Sequence, residues 1–249
     1  MSEQTTTKNP LELDDLLPKF ILNPFRRPIK HCIEKALGIS YLAKAYKQLN
    51  TNGKAENFIK KAFNRLDIDY QIVTGSVDNI PKTGPLLVVA NHPYGAIYGM
   101  AMIDLLKNHR GDIKVIANGF LKRVPEISDV ILSVNPYGHK KAIKENSAAM
   151  RECLRWLKKG GLIFMFPAGD VSSLNMSKLS ISDAKWDAKV IRLANKTGAS
   201  IVPLHIDGRN SIAFYLAGVM HPMLKTLLPR QIIKQQGRAI QLKLVLVKL

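Results

Sequence analysis

The chain has 249 residues, 46% hydrophobic and 22% charged, which fits a folded core and excludes a disordered or low-complexity chain. The formal net charge of +18 is too large an excess to read as plain solubility; nucleic acid, an anionic membrane and an acidic carrier protein would each be drawn to it. The two cysteines, Cys32 and Cys153, fall on what read as apolar helix faces and are expected to be small core residues, and without Cys-x-x-Cys or His-Glu-x-x-His no metal is expected.

Met1 to Pro10 is polar, so no secretory signal is expected and the chain is expected to face the cytoplasm. No apolar run approaches the roughly 18 residues of a spanning helix. Leu11 to Lys30 sets apolar residues among Pro18, Pro24 and Pro28, followed by Arg26, Arg27 and Lys30. That pattern suits an interfacial membrane contact or a strap over the core. Ile29, Ile33 and Leu37 predict a helix stopped by Gly38, and Tyr41 to Leu49 a second. Phe58, Ile59, Ala62, Phe63 and Leu66 make a third apolar face. Tyr70 to Val73 reads as a strand.

From Leu86 the pattern alternates. Strands are expected at Leu86 to Ala90, Ile113 to Ala117, Val130 to Val134, Leu162 to Phe166 and Ser200 to His205. Helical character is expected from Met100 to Leu106, from His139 to Lys159 with Gly160-Gly161 as its stop, and from Lys185 to Lys196 with Gly198 as its stop. The serine-rich stretch before Lys185 reads as a loop. Ile212 to Leu228 suits a core element or a helix lying near lipid, and Gln241 to Val247 an edge strand. The fold class expected is α/β: a mostly parallel sheet flanked by helices, preceded by an N-terminal helical segment.

Three strands end in unusual loops: Asn91-His92-Pro93, Asn135-Pro136-Tyr137-Gly138 and Phe166-Pro167-Ala168-Gly169-Asp170-Val171-Ser172. In a parallel sheet these ends share one edge, where open α/β folds put their chemistry. A histidine there titrates near neutrality and can act as a general base. No Gly-x-Ser-x-Gly elbow, Gly-x-Gly-x-x-Gly loop or Walker loop occurs, which argues against a serine hydrolase and against nucleotide binding.

These motifs, in this order, resemble the glycerolipid (lysophospholipid) acyltransferase superfamily, and most of all its branch named for hemolysins, which includes acyltransferases of ornithine and glycine aminolipids. Asn91-His92-Pro93-Tyr94-Gly95 is similar to that branch's Asn-His-Pro-Phe-Gly loop. Phe166-Pro167-Ala168-Gly169 is similar to its Phe-Pro-Ala-Gly motif, and Ile201-Val202-Pro203-Leu204 to its Val-Pro strand. The likeness runs from about Leu13 to the end of the chain. It implies His92 as the base. It implies a substrate site that includes Asn91, Pro93, Gly95, Tyr98, Lys122, Arg123, Phe166, Pro167, Gly169 and Ser172, with backbone amides near Gly95 or Gly169 for an oxyanion.

The resemblance implies no bound cofactor. The cosubstrate would be an acyl thioester of acyl carrier protein or coenzyme A, and the acceptor a lysolipid hydroxyl. The enzyme would sit peripherally on the cytoplasmic face of an anionic membrane, with no nucleic acid partner. Residues 1–68 are then expected to be a helical, membrane-contacting segment and residues 69–249 an acyltransferase-like α/β domain.

The sequence departs from the family at Tyr98, where an acidic partner of the histidine is expected. Asp104 and Asp207 are candidate substitutes. Two readings follow, an active O-acyltransferase and a catalytically silent lipid-binding relative. Ala168 and Val171 stand where relatives that use phosphorylated acceptors carry Glu and Arg, which favours a lyso-aminolipid acceptor.

Overall fold

The computed structural model describes residues 31–49 apart from 33 and 36, then 55–135, 140–220 and 228–244. The expectations for Leu11 to Lys30, Ile33, Pro136 to His139 and Val245 to Val247 lie outside these residues. In chain order the described elements begin with α1 (Ile39–Lys47), α2 (Ala55–Leu66), β1 (Ile68–Thr74), β2 (Leu86–Ala90) and α3 (Ala96–His109). There follow β3 (Ile113–Asn118), α4 (Pro125–Ser128), β4 (Ile131–Val134), α5 (Lys140–Lys158), β5 (Leu162–Met165), β6 (Ser173–Asn175) and β7 (Ser180–Ser182). The last are α6 (Lys189–Thr197), β8 (Ser200–Ile206), α7 (Ile212–Met220), α8 (Leu228–Ile233) and β9 (Arg238–Lys243).

Five aliphatic residues without a polar side chain need cover on both faces, and β2 has it. Leu86, Val88 and Ala90 face a core shared with α2, α3 and the buried Ala45 of α1. Leu87 and Val89 face the opposite core, built with Cys153 and Leu157 of α5 and Val190, Leu193 and Ala194 of α6. The sheet order is β1-β9-β8-β2-β5-β3-β4. The five strands from β8 to β4 are parallel; β9 runs antiparallel to β8 and parallel to β1. The expected mostly parallel α/β architecture is what the chain adopts.

Arg110 ties down the edge of the sheet opposite the loops. Buried at the end of α3, it donates to the carbonyls of Pro81 at 3.0 Å and Gly84 at 2.8 Å, to that of Gly160, and to the Asp112 carboxylate. That charge holds the Asp112 carboxyl below the ordinary range.

Several local expectations are corrected. α3 begins at Ala96 rather than near Met100, because Gly95 takes φ 76, ψ −138 and turns the chain directly into helix. α6 starts at Lys189, four residues late, because the Asp187 amide is held by the Pro167 carbonyl and the Asp187 carboxylate accepts from the Lys189 amide. The serine-rich stretch carries the β6–β7 hairpin. The C-terminal strand begins earlier than Gln241 and is interior, lying between β1 and β8. Its alternation, with Ile240 and Leu242 buried and Gln241 exposed, reflects one bare face and not an unpaired edge. Cys153 is buried as expected, but Cys32 is exposed, at an open rim beside Arg230 and Ile233 of α8.

Candidate active site

β2, β5, β3 and β8 all deliver their carboxyl ends to one edge, so the loops after Ala90, Met165, Asn118 and Ile206 gather there. The His92 loop is fixed on every side. Asn91 extends the β2–β8 ladder by one rung, donating to the Ile206 carbonyl at 2.8 Å and accepting from the Ile206 amide at 2.7 Å. Both backbone groups of His92 are used. Its amide donates to the Asp183 carboxylate at 3.1 and 3.2 Å, and its carbonyl accepts from the Ser172 amide at 2.9 Å. Asn210 donates to the Pro93 carbonyl at 2.8 Å.

The imidazole stacks on the Phe166 ring, with centroids 3.8 Å apart and planes 17° from parallel. Nδ1 is buried with no hydrogen-bond partner. Burial pulls the ring pKa down to about 4, against the opposing pull of the Asp183 and Asp170 charges. At neutral pH the ring is therefore uncharged and able to take a proton.

The two substitute carboxylates are elsewhere. Asp104 is buried on α3, where one oxygen accepts from the Tyr70 hydroxyl at 2.7 Å and the other has no hydrogen-bond partner. Asp207 is held by Lys243 and by His205 at 3.0 Å, which keeps its carboxyl below the ordinary range. Neither acts on His92. Tyr98 also turns away. Its hydroxyl donates to the Asp207 carbonyl at 3.1 Å, and its ring stacks on Tyr94 at 5.0 Å.

The acid beside His92 is Asp183, which the sequence reading did not single out. Besides the His92 amide it accepts from the Ser172 hydroxyl at 2.5 Å and the Trp186 indole at 3.2 Å. Its distance from His92 in sequence conceals it; the only cue is an acid and a tryptophan three residues apart inside a serine-rich loop.

The structure brings together Asn91, His92, Pro93, Phe166 and Ser172 through these contacts. Gly95 caps α3 beside them. Pro167 and Gly169 follow Phe166 in the same loop, and Gly169, at φ 72, turns the chain and donates its amide to the Phe166 carbonyl at 3.0 Å. That amide is thus engaged within its own turn. Val171 is turned into a small cluster with Phe214 and Tyr215 of α7. Lys122 and Arg123 are exposed in the turn after β3, with Arg123 over the Phe120 ring at 5.6 Å.

A neutral, half-buried histidine at the carboxyl edge of a parallel sheet, held through its backbone by an acid, is an arrangement that can accept a proton. A family profile described as Acyltransferase matches residues 5–242, and the chain belongs to that family. It is similar to the lyso-glycine lipid O-acyltransferase of Phocaeicola vulgatus, at 26% identity over 64% of this chain and 58% of that protein. It is also similar to the lyso-glycine lipid O-acyltransferase of Bacteroides thetaiotaomicron, at 26% identity over 71% of this chain and 65% of that protein. The chain thus spans less than two thirds of the length of these two relatives. Among solved structures it is similar to the 1-acyl-sn-glycerophosphate (LPA) acyltransferase PlsC from Thermotoga maritima, at 23% identity and a TM-score of 0.40 over 76% of this chain and 71% of that one.

Proposed function

We propose that the chain transfers a fatty acyl group from an acyl thioester to the hydroxyl of a lysolipid, with His92 as general base. The observation that carries this reading is the neutral His92 ring at the carboxyl edge of the sheet. The ring takes the hydroxyl proton as the hydroxyl oxygen attacks the thioester carbonyl. The carbon–sulfur bond then breaks, and the leaving thiolate takes the proton back from the imidazolium. The negative charges of Asp183 and Asp170 favour the imidazolium while it exists. Amides in the first turn of α3, which has no side-chain cap, face the oxyanion.

The acceptor proposed is a lyso-aminolipid. Ala168 and Val171 offer no charge for a phosphate, and Val171 is packed against Phe214 and Tyr215 of α7. The lyso-glycine lipid named for both curated relatives belongs to the same class. The donor is a thioester of acyl carrier protein or coenzyme A, with the acidic carrier favoured by the +18 charge. The site of action is the cytoplasmic face of an anionic membrane. Among the described residues no helix is long and apolar enough to cross one.

Purified protein given acyl carrier protein or coenzyme A thioesters and a panel of lysolipids tests this. Turnover of lyso-glycine lipid above lysophosphatidate is expected; preference for lysophosphatidate would overturn the acceptor. The partnerless Nδ1 and the averted Tyr98 favour one other reading, a silent lipid-binding relative. Lipid binding without any thioester consumption, under all acceptors, would establish it.

A further inference from the structure

α7 carries no charged residue, and both of its sides are apolar. Phe214 and Tyr215 are buried against Val171 and Leu174. Ile212, Leu216 and Val219 lie at helical spacing and are 71%, 49% and 47% exposed. A helix apolar all round is ordinarily covered on every side. The β6–β7 hairpin packs beside α7, with Leu174 against Phe214 and Tyr215. Its tip exposes Met176 at 57% and Leu179 at 80%.

The tip is built for this display. The Asn175 side chain accepts from the amides of Ser177 and Lys178, fixing the turn. Leu179 stands at φ 46, a left-handed conformation that glycine or asparagine would take more easily. A leucine there pays twice, in backbone strain and in hydrated apolar surface, and the hairpin itself needs neither.

The charges around the face are positive. Lys178 sits in the tip between Met176 and Leu179, Lys185 follows β7, and Arg209 precedes α7, all exposed. No acidic residue occurs from Gly208 to the end of the chain. Asp183 is turned inward onto Ser172 and the His92 amide, and Asp187 is paired with Lys189 at 2.7 Å. Apolar side chains flanked in the chain by exposed lysine and arginine fit a lipid surface of negative charge better than a second copy of this basic chain.

We propose that the outer stripe of α7 and the tip of the β6–β7 hairpin form the surface by which the protein docks onto an anionic bilayer. The inference builds on the peripheral location proposed above and gives it an address. A crevice of about 190 Å³ along α7 and β6 is lined by Ser172, Leu174, Phe214, Tyr215 and Val219. It reaches Ser172, whose amide donates to the His92 carbonyl, and so lies beside the His92 loop.

The test is co-sedimentation of the purified full chain with vesicles of phosphatidylcholine alone or mixed equally with phosphatidylglycerol. Two double variants are compared, Met176→Ser with Leu179→Asn at the tip and Ile212→Ser with Leu216→Ser on α7. Wild type is expected to prefer the anionic vesicles, and each double variant to partition roughly tenfold or more weakly. The tip variant should melt no lower than wild type, since asparagine relieves the left-handed strain. Three outcomes would overturn the proposal: no vesicle binding by wild type, variants that bind as wild type does, or a dimer in sedimentation that the variants dissolve while vesicle binding is unchanged. Vesicle binding is read without turnover, so an inactive but membrane-bound wild type would sink the acyl-transfer reading and leave the docking face standing.

Discussion

Helix α3 and the loop after β7 each withdraw one carboxylate from water, and the two do different things. Asp104, in the middle of α3, meets Tyr70 and has one oxygen without a hydrogen-bond partner. Asp183, on the loop, accepts hydrogen bonds from His92, Ser172 and Trp186 and acts on the imidazole through its charge. Asp104 follows His92 by only a few helical turns; Asp183 comes after three more strands and a hairpin of the chain. Nearness along a helix decides which face a side chain occupies, and the face of α3 at Asp104 points at β1. The sheet order decides what meets at its carboxyl edge, and there the β5 side brings Asp183 to β2. On the mechanism proposed above, the charge that the resemblance expects on the helix comes instead from a loop, which touches the backbone of His92 rather than its ring.

This contrast can be broken by experiment. The largest effect is expected for His92→Ala, which should lower kcat by about 10²–10⁴-fold; a smaller loss, measured on lyso-glycine lipid, would remove the base from both comparisons. Asp183→Asn keeps the shape but not the charge and is expected to lower kcat by roughly tenfold to a hundredfold, whereas Asp104→Asn leaves kcat nearly unchanged. If Asp104→Asn proved the more damaging in a steady-state assay, the roles assigned to the two acids would be reversed.

The pH dependence sharpens the same point. The folded pKa of His92, near 4, lies below its unfolded value near 6.5. The unfolded chain thus binds more protons between those values, and stability falls as pH drops through that window. Wild type should therefore lose roughly 3 kcal/mol of stability between pH 6.5 and pH 4 in denaturant titrations, a loss that His92→Ala lacks. Asp183→Asn removes a charge that opposes the shift and should move the acid limb lower still. Tyr70→Phe, which leaves Asp104 without its donor, is expected to cost about 1–3 kcal/mol. The smallest effect belongs to Tyr98→Phe: about 1 kcal/mol in stability and no more than a small change in kcat. A large fall in kcat for that variant would mean that Tyr98 reaches the imidazole during turnover.

The parts of the fold that are legible in the sequence are those set by local patterning. Leu86 to Ala90 and Leu162 to Met165 are apolar on both faces because both faces are covered; Gly160 and Gly198 stop helices in the left-handed conformation glycine takes most easily, and Gly161 leaves room for the Trp156 ring. The His92 loop and the Phe166 loop are legible for the same reason, as polar interruptions at strand ends. What is not legible depends on contacts across the chain. Asp183 resembles any solvated loop acid until the β6–β7 hairpin folds it back onto Ser172. The hairpin itself is too short and too exposed to leave a period in the sequence. The place of β9 was hidden because its alternation reports one bare face and says nothing of which strands lie beside it.

The sheet order has a consequence for the chain as it is made. Ile68 of β1 pairs with Arg238 of β9, so among the described strands β1 has no neighbour in the sheet until β9 has left the ribosome. The five parallel strands from β8 to β4 can assemble earlier, while β1 waits as an unpaired edge. A nascent chain arrested before Arg238 holds the completed His92 loop and lacks its last stitch, and it is in that interval that the newborn protein is most exposed to chaperones, to proteases and to aggregation.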